Sequence, residues 1–322
     1  MAYSSTGLIE ASDYNGFRTR LNQVIGLGTE NGGSGGNSGY GQTNTLAAVA
    51  TSNTVSANEW TNMFTRLRST LNHQGSATTI SVGNVATGDT VAIKTGLDTD
   101  CTTATNNRNN AAAGSLASAV NVTNVNGTAR TSAWNSQIQH VFTITFAASG
   151  TAPAGAGAQD AARFFFNSGG YLNLSVSGAN GSGAQDTAWS NLLSAAGTIR
   201  FAGAATTKSG GSGTPTTLAS SGYHQLTTSN TTIFKQFDTT ANYTANYVQI
   251  DVRTDTVTDP NSRGGKGSVL TITITLNDAH TNAFSDTVNL DVTTGCSYVG
   301  ANTTYLNNVP WTITGATTTS WA

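Results

Sequence analysis

The sequence predicts an α+β protein that is mainly β: N-terminal short amphipathic helices followed by an antiparallel β-sandwich-like domain with two inserted short helices. Three observations carry this prediction. A helical apolar stripe occurs twice near the start of the chain, apolar and polar residues alternate in many segments after residue 136, and two helical segments interrupt that alternation. Alternation with a period of two is typical of strands that bury one face, whereas a helical stripe recurs every three or four residues.

The first two elements are a tandem repeat of one helix design. Residues 57–71 follow the same pattern of apolar, acidic and basic positions as residues 11–25. Each helix is too short to be stable alone, so its stripe must pack against the other copy, the rest of the chain or a neighbouring subunit. We hypothesise that the stripe forms an assembly interface, and its apolar members are Tyr14, Phe17, Leu21, Ile25, Trp60, Met63, Leu67 and Leu71.

Residue types at the repeat boundaries predict where the helices begin and end. Ser12 and Asn58 are good N-cap residues, and an acid follows each of them in the first turn. Gly26 and Gly75 are placed to end the two helices. Residues 26–42 contain eight glycines in 17 positions, a composition that predicts a flexible linker between the copies.

Strand patterns dominate from residue 136 onward. In VLTITITL, the side chains of Leu270, Ile272, Ile274 and Leu276 share one face and threonines share the other. Helices are predicted in AQDAARFFF and QDTAWSNLL. The other predicted strands lie in QIQHVFTITF, YLNLSVSG, GTIRFAG, GYHQLTT, TTIFKQFD, NYVQIDVRTD, DTVNLDVTT and VPWTITG.

Three regions follow from these patterns. Residues 1–77 hold the helical repeat and serve attachment or oligomerisation, residues 78–135 form a connecting region, and residues 136–322 form the β-rich domain. Within the connecting region a helix is expected from about Asp98 to Ala119, although Thr and Asn are poor helix formers.

Charge and hydropathy exclude two classes of partner. Charged residues make up only 9% of the chain and the net charge is −2. The basic residues are scattered, which argues against a nucleic-acid partner, because such binding needs clustered Lys and Arg. No stretch approaches the roughly 20 apolar residues of a membrane span, so we expect no membrane partner. The N-terminal residues lack the pattern of a secretory signal, which predicts synthesis in a cytoplasm without an export address.

Metal and cofactor chemistry has no local support in the sequence. The four histidines, His73, His140, His224 and His280, are far apart and form no ligand motif. Cys101 and Cys296 are expected to be small buried apolar residues, with a single disulfide as the alternative. We therefore expect no metal and no cofactor.

Hydrolytic chemistry is also poorly supported. GGSGG at 32–36 and GGSGT at 210–214 resemble a nucleophile elbow but lack the flanking strand and helix, so we interpret them as loops. The best acidic group is Asp251, Asp255 and Asp259, for which a calcium site, glycoside chemistry and an ordinary strand-to-turn passage are the alternatives. We favour the last, and we predict no catalytic residue.

Aromatic residues are the remaining candidates for contacts with ligands or partners. Most lie beside alternating apolar residues, so we expect core or subunit-interface packing rather than stacking on sugars. Trp321, the penultimate residue, is predicted to dock on a neighbouring subunit. The other aromatic candidates are Tyr40, Tyr223, Tyr243, Tyr247, Tyr298, Tyr305 and Trp311.

Several phrases of the sequence resemble virion structural proteins of tailed phages that infect cyanobacteria and marine bacteria. In that group similar phrases occur in tail, fibre or unassigned structural proteins. The resemblance covers the helical repeat and roughly residues 159–254, and it implies a setting without supplying catalytic residues. The phrases are GLIEASDYNGFRTRLNQVIG, GYGQ, VSANEWTNMFTRLRSTLNHQG, ARFFFNSGGYLNLSVSG and WSNLLSAAGTIRFAG.

The resemblance implies a non-enzymatic structural component of a virion, located at the tail, neck or fibre and assembled in many copies. Its expected partners are other virion proteins and further copies of itself in a homo-oligomer. The alternatives are a capsid-decorating protein and an adhesin that binds a host-surface glycan through the loops of the β domain. An enzyme such as a capsule depolymerase is the least favoured hypothesis.

Overall fold

The computed structural model describes residues 10–30, 37–51, 53–79, 94–117, 120–121, 129–259, 262–280, 287–318 and 321. Five α-helices lie within these residues: α1 (Ala11–Ile25), α2 (Ala57–Gln74), α3 (Lys94–Asn106), α4 (Ala158–Asn167) and α5 (Ala184–Ala196). The strands are β1 (Val120–Asn121), β2 (Gln137–Ala148), β3 (Tyr171–Ala179), β4 (Thr198–Ala202), β5 (Thr206–Ser209), β6 (Thr217–Leu218), β7 (Thr231–Phe237), β8 (Tyr247–Thr254), β9 (Val269–Asn277), β10 (Asp291–Val299) and β11 (Trp311–Thr318).

The strands form two antiparallel sheets. One sheet has five strands in the order β1-β10-β3-β4-β5, and the other has six in the order β11-β2-β9-β8-β7-β6. The central strands of the six-stranded sheet alternate between buried and partly exposed side chains, as the sequence predicts for β2 and β9. The α+β, mainly β fold class is therefore confirmed.

One apolar core lies between the two sheets. It contains the inward side chains of both, including Phe142 and Ile272 from one sheet and Leu174 and Val292 from the other. A hydrogen bond between His140 of β2 and Thr294 of β10 joins the sheets directly. This sandwich-like arrangement explains the alternation, because each strand buries one face and leaves the other towards solvent.

The two inserted helices complete this core. Helix α4 packs on β2 and β11, and α5 packs on β3, β7 and β8. The Phe166 ring of α4 contacts Phe146 of β2 and Phe201 of β4, at centroid distances of 5.8 and 5.9 Å. A single phenylalanine therefore contacts both sheets, which fixes the helix between them.

A second apolar core lies among α1, α2 and α3. Leu97, Cys101 and Ala104 of α3 contribute to it, together with Ala301 and Leu306 from the connection between β10 and β11. The region predicted to be a connector thus supplies the third helix of this core. The C-terminal part of the chain also contacts it, so the helical repeat does not stand apart from the β-rich part.

Three sequence predictions of element boundaries are wrong. Helix α2 begins earlier, at a capping box in which Glu59 N donates to Ser56 Oγ and Ser56 N donates to Glu59 Oε2. Helix α1 likewise begins at Ala11 with Glu10 as N-cap, so neither Ser12 nor Asn58 is a cap. The helix expected at about 98–119 is α3, which ends at Asn106.

Other details differ for physical reasons. GYHQLTT forms a 3₁₀ turn at Tyr223–Gln225 instead of a strand, and Gly222 N donates to Gln225 Oε1 to close it. The strands β1 and β6 have only two residues each, too few to give an alternating pattern. Gly26 and Gly75 do end α1 and α2, and Gly75 takes the left-handed conformation with a φ of 70°.

Candidate functional site

The eight predicted interface residues of the helical repeat lie inside the chain. None of their side chains is more than 4% exposed, and all belong to the core among α1, α2 and α3. Tyr14 and Trp60 meet edge to face at a centroid distance of 5.4 Å. The hypothesis that these residues form an assembly interface is therefore corrected: the chain itself covers the stripe, and its members are core residues. The eight residues are Tyr14, Phe17, Leu21, Ile25, Trp60, Met63, Leu67 and Leu71.

Trp321 docks on its own chain. Its ring stacks on that of His140 in β2, with a centroid distance of 4.8 Å and an angle of 18° between the planes. The structure therefore places the Trp321 ring against its own chain, whereas the sequence predicted docking on a neighbouring subunit. The structure does not bring Trp321 together with the other eight residues, which belong to a different core.

Asparagine side chains on α1 hold the extended segment that follows the Gly-rich stretch. Asn22 Nδ2 donates to Leu46 O at 2.9 Å, and Leu46 N donates to Asn22 Oδ1 at 2.9 Å. Two turns earlier, Asn15 makes the same reciprocal pair with the backbone of Val49, at 2.7 and 3.0 Å. Two asparagines seven residues apart lie on the same face of a helix, and this spacing could have indicated the arrangement from the sequence. This signal was not used in the sequence analysis.

A buried charged cluster joins the Gly-rich stretch to the sandwich. Arg163 of α4 is fully buried, and its guanidinium donates to Leu27 O at 2.9 Å and to Ser38 O. It also pairs with Asp160 at 2.7 Å, and Arg263 pairs with the other oxygen of Asp160 at 2.9 Å. Burial lowers the pKa of Arg163, and the hydrogen bond and charge of Asp160 oppose that shift.

The flexible-linker prediction is wrong for the described parts of residues 26–42. Gly39, Tyr40 and Gln42 are buried. The backbone N–H groups of Tyr40 and Gln42 donate to carbonyl groups at the C-terminal end of α1, and Gln42 Nε2 donates to the backbone carbonyl at 308. Gly41 has a φ of 69°, and a side chain there would meet the Phe164 ring. The GGSGG stretch at 32–36 lies outside the described residues.

Histidine 73 sits at the C-terminal end of α2 in a buried polar group. Its Nε2–H donates to Ser168 O at 3.1 Å, and its ring meets that of Tyr40 edge to face. Gln74 Nε2 donates to the Tyr40 hydroxyl at 2.7 Å and to Ala104 O at 2.9 Å. Burial lowers the pKa of His73 to about 4, so the imidazole is neutral at neutral pH.

Histidine 224 is also buried and neutral. Neither ring nitrogen has a hydrogen-bond partner within the described part of the chain. Burial lowers its pKa to about 4, and the positive charges of Arg108, Arg163 and Lys266 lower it further. Both histidines therefore favour the folded state only while they are uncharged.

No metal-binding group of three or more His, Cys, Asp or Glu side chains occurs among the described residues. The three predicted acidic candidates are used within the fold: Asp255 Oδ1 accepts from the backbone N–H of Ser268 and Val269, and Asp259 Oδ2 accepts from Gly265 N. Asp251 accepts from Thr232 Oγ1 at 2.6 Å. This matches the strand-to-turn interpretation.

The two cysteines are free and buried in different cores. Burial raises the pKa of both thiols to about 12, which keeps them protonated and unreactive. The expectation that they are small apolar core residues is confirmed, and the disulfide alternative is wrong.

Most aromatic candidates pack internally, as predicted. Tyr40 and Tyr223 are fully buried, and Tyr243 and Trp311 are nearly so. The Tyr247 ring instead lies on the outer face of the six-stranded sheet, where Lys235 Nζ stands 3.7 Å from its centroid. Tyr305, in the connection before β11, is 39% exposed.

The outer edge of β11 is the best candidate for contact with another molecule. This strand has eight residues and ends the six-stranded sheet, so one side of its backbone pairs with β2 and no described strand pairs with the other. It carries no charged residue. By contrast, β1 and β6 have two residues each, and β5 carries Lys208.

Unpaired strand edges are templates for pairing with another chain, and proteins protect them by shortening them or by adding charge. Three described sheet edges have such protection. The β11 edge has only the bulge between Ile313 and Gly315, after which its register with β2 continues to Thr318. Its backbone groups therefore offer hydrogen bonds to an added strand.

Within the part of the chain that the structure describes, no helix combines the length and the apolar character that crossing a membrane requires. Comparison with models of known protein families, with curated proteins and with solved structures finds no match to this chain.

Proposed function

We propose that the chain is a non-enzymatic structural component of a tailed-phage virion that assembles in many copies at the tail, neck or fibre. The resemblance of its sequence to virion structural proteins supplies the setting. The observation that carries the assembly role is the β11 edge, an eight-residue uncharged strand with one side that no described strand pairs with. Low charge across the chain, at 9%, also suits a lattice of close subunit contacts.

The occupant we propose for this edge is a strand of a second copy of the chain. Adding a strand continues the six-stranded sheet through backbone hydrogen bonds, and these need no particular side chain on the partner. Each such contact is modest, but a symmetric scaffold multiplies it over many copies. The buried helical repeat has no part in this contact, because its stripe is already covered.

A lysine on the edge tests the assembly role. Thr312 is exposed on β11, so Thr312→Lys adds the charge that natural edges use to prevent pairing. The matched control is Thr207→Lys on β5, an exposed edge position next to an existing lysine. We expect the unmodified chain and the control to form oligomers in native mass spectrometry and Thr312→Lys to be monomeric. A monomer at every concentration for the unmodified chain would contradict the role.

The virion setting needs a separate test. Mass spectrometry of gradient-purified particles should detect the chain in many copies, and immunogold electron microscopy should label the tail, neck or fibre. Label on the head would favour the alternative of a capsid-decorating protein. Absence from purified particles would overturn the virion proposal, whatever the outcome for the β11 edge.

A further inference from the structure

A polar groove opens on the outer face of the six-stranded sheet. We call it the Arg253 groove, and its volume is about 450 Å³. The floor is formed by side chains of β2, β8 and β9, and residues 228–230, which precede β7, form one wall. The floor residues are Val141, Arg253, Thr271 and Thr273.

The wall of the groove is fixed by local hydrogen bonds. Thr254 N donates to Thr227 O at 3.0 Å, and Ser229 N donates to Thr227 Oγ1 at 3.3 Å. The floor is equally fixed, because it consists of adjacent strands in register, with Thr271 opposite Arg253 and Thr273 opposite Asp251. The groove is thus formed in the chain before any ligand arrives.

Arg253 gives the groove a positive charge that no described residue pairs with directly. Its side chain is exposed, and within the described residues it makes no hydrogen bond and no ion pair. A guanidinium presents donors in a planar fork that matches a carboxylate. This charge favours a ligand with an acidic group.

The surroundings of Arg253 limit the ligand to few negative charges. Asp251 lies two residues away on the same face of β8, about 7 Å along the strand. Its carboxylate accepts from Thr232 Oγ1 at 2.6 Å and from Gln249 Nε2 at 2.9 Å. This nearby negative charge would repel a phosphate chain lying along the face, whereas it would not repel the hydroxyl groups of a sugar.

The rest of the groove offers hydroxyl and amide groups. Thr271 and Thr273 on the floor, with Ser229 and Asn230 on the wall, present both donors and acceptors. Thr271 and Thr273 lie two residues apart on β9, about 7 Å along the strand, and Thr271 lies opposite Arg253 on β8, so the polar groups are spread over the floor of the groove. Val141 supplies one apolar contact for the C–H face of a ring.

From these features we propose that the Arg253 groove binds an acidic saccharide, with a sugar carboxylate on Arg253 and ring hydroxyls on Thr271 and Thr273. The volume is larger than an inorganic anion needs and suits one or two sugar rings. The floor of the site lies on the sheet face, and only its wall, residues 228–230, belongs to a loop of the kind where the sequence analysis expected glycan contacts. The proposal does not depend on assembly through β11 or on a virion setting.

The experiment uses the full chain and three probes: a disaccharide of uronic acids, the neutral disaccharide with the same linkage, and inorganic sulfate. Calorimetry and amide chemical shifts should show binding of the uronic disaccharide, in preference to both other probes, and weakening as salt is added. Arg253→Gln should reduce that affinity by about tenfold or more, as expected for loss of a charge-assisted contact.

The matched control is Arg200→Gln. Arg200 is an exposed arginine of β4 whose guanidinium lies over the Tyr171 ring, on the other sheet. It should leave the affinity unchanged, and both variants should keep the melting temperature of the unmodified chain. Equal affinity for the neutral disaccharide or for sulfate would overturn the proposal. So would unchanged affinity in Arg253→Gln, or no binding of any probe.

Discussion

Arg163 and Asp160 form a buried ion pair within one turn of α4, with a distance of 2.7 Å between Nη2 and Oδ1. Their side chains are 0% and 4% exposed. The same guanidinium donates to the backbone carbonyl groups of Leu27 and Ser38, near the two ends of the Gly-rich stretch. One side chain therefore connects the helical repeat with the sandwich core.

Replacing this arginine should be strongly destabilising. Arg163→Met keeps the length of the side chain but removes the guanidinium donor from the buried carbonyl of Ser38 and the partly buried carbonyl of Leu27, and it leaves Asp160 without one partner. Breaking a buried ion pair from one side typically costs about 3–5 kcal/mol. We expect a loss of that order in the free energy of unfolding, measured by urea titration.

Arg200→Met is the control for this substitution, because Arg200 is exposed on β4 and makes no ion pair among the described residues. Its effect should stay below about 1 kcal/mol. Equal losses in the two variants would show that the buried cluster contributes nothing beyond an ordinary surface contact.

Asn22 provides a second test of how the helical repeat is held. Asn22→Ala removes both hydrogen bonds to the backbone of Leu46 and leaves a buried N–H and a buried carbonyl without partners. Each orphaned group costs about 1–3 kcal/mol, so a loss of roughly 2–6 kcal/mol is expected in urea unfolding. Asn62→Ala on the exposed face of α2 should change little, and a similar loss there would contradict the role given to Asn22.

The sandwich was predictable because each central strand shows its own alternation of apolar and polar residues. In β9, four apolar side chains alternate with polar ones, and this pattern alone determines which face is buried. The same holds for β2 and for the apolar stripes of α4 and α5. Local pattern suffices wherever an element buries one face against a large core.

The role of the Gly-rich stretch was not predictable in this way. Glycines at 39 and 41 suggest flexibility, but both have positive φ angles and close neighbours. A side chain at Gly39 would meet the backbone of Gly26 and Gly28, and one at Gly41 would meet the Phe164 ring. Arg163, which donates to the carbonyl group of Ser38, lies 125 residues further along the chain. A contact of that sequence separation leaves no local trace.

The helical stripes were recognised, but their partner was not. The sequence showed that Tyr14 and Trp60 need cover, and it left open whether that cover came from inside the chain. The third helix that supplies it, α3, is rich in Thr and weakly patterned. Because α3 has few apolar residues, its sequence does not mark it as the partner of the α1 and α2 stripes. Only the fold shows that these stripes belong to an internal core.

Trp60 now has a different expected effect from that of an interface residue. Trp60→Ala should cost about 3–5 kcal/mol, because it opens a cavity next to Tyr14 and Phe64 in the helical core. Trp321→Ala, at a partly exposed ring, should cost clearly less. Thermal unfolding should show a larger fall in melting temperature for Trp60→Ala than for Trp321→Ala. An unchanged melting temperature in Trp60→Ala would instead support the interface hypothesis.

Acid should destabilise the protein through its buried histidines. His73 and His224 have a pKa of about 4 in the folded chain, against 6.5 when unperturbed. Between these pH values the unfolded chain binds protons that the folded chain does not. The free energy of unfolding therefore falls as pH is lowered from 6.5 towards 4, by up to roughly 3 kcal/mol per histidine.

His224→Leu should remove the contribution of His224, because leucine fills the space without a titrating group and no hydrogen bond to a described residue is lost. Urea unfolding across this range should therefore give a shallower pH dependence for His224→Leu than for the unmodified chain; parallel curves would mean that the His224 imidazole becomes charged inside the fold at no cost.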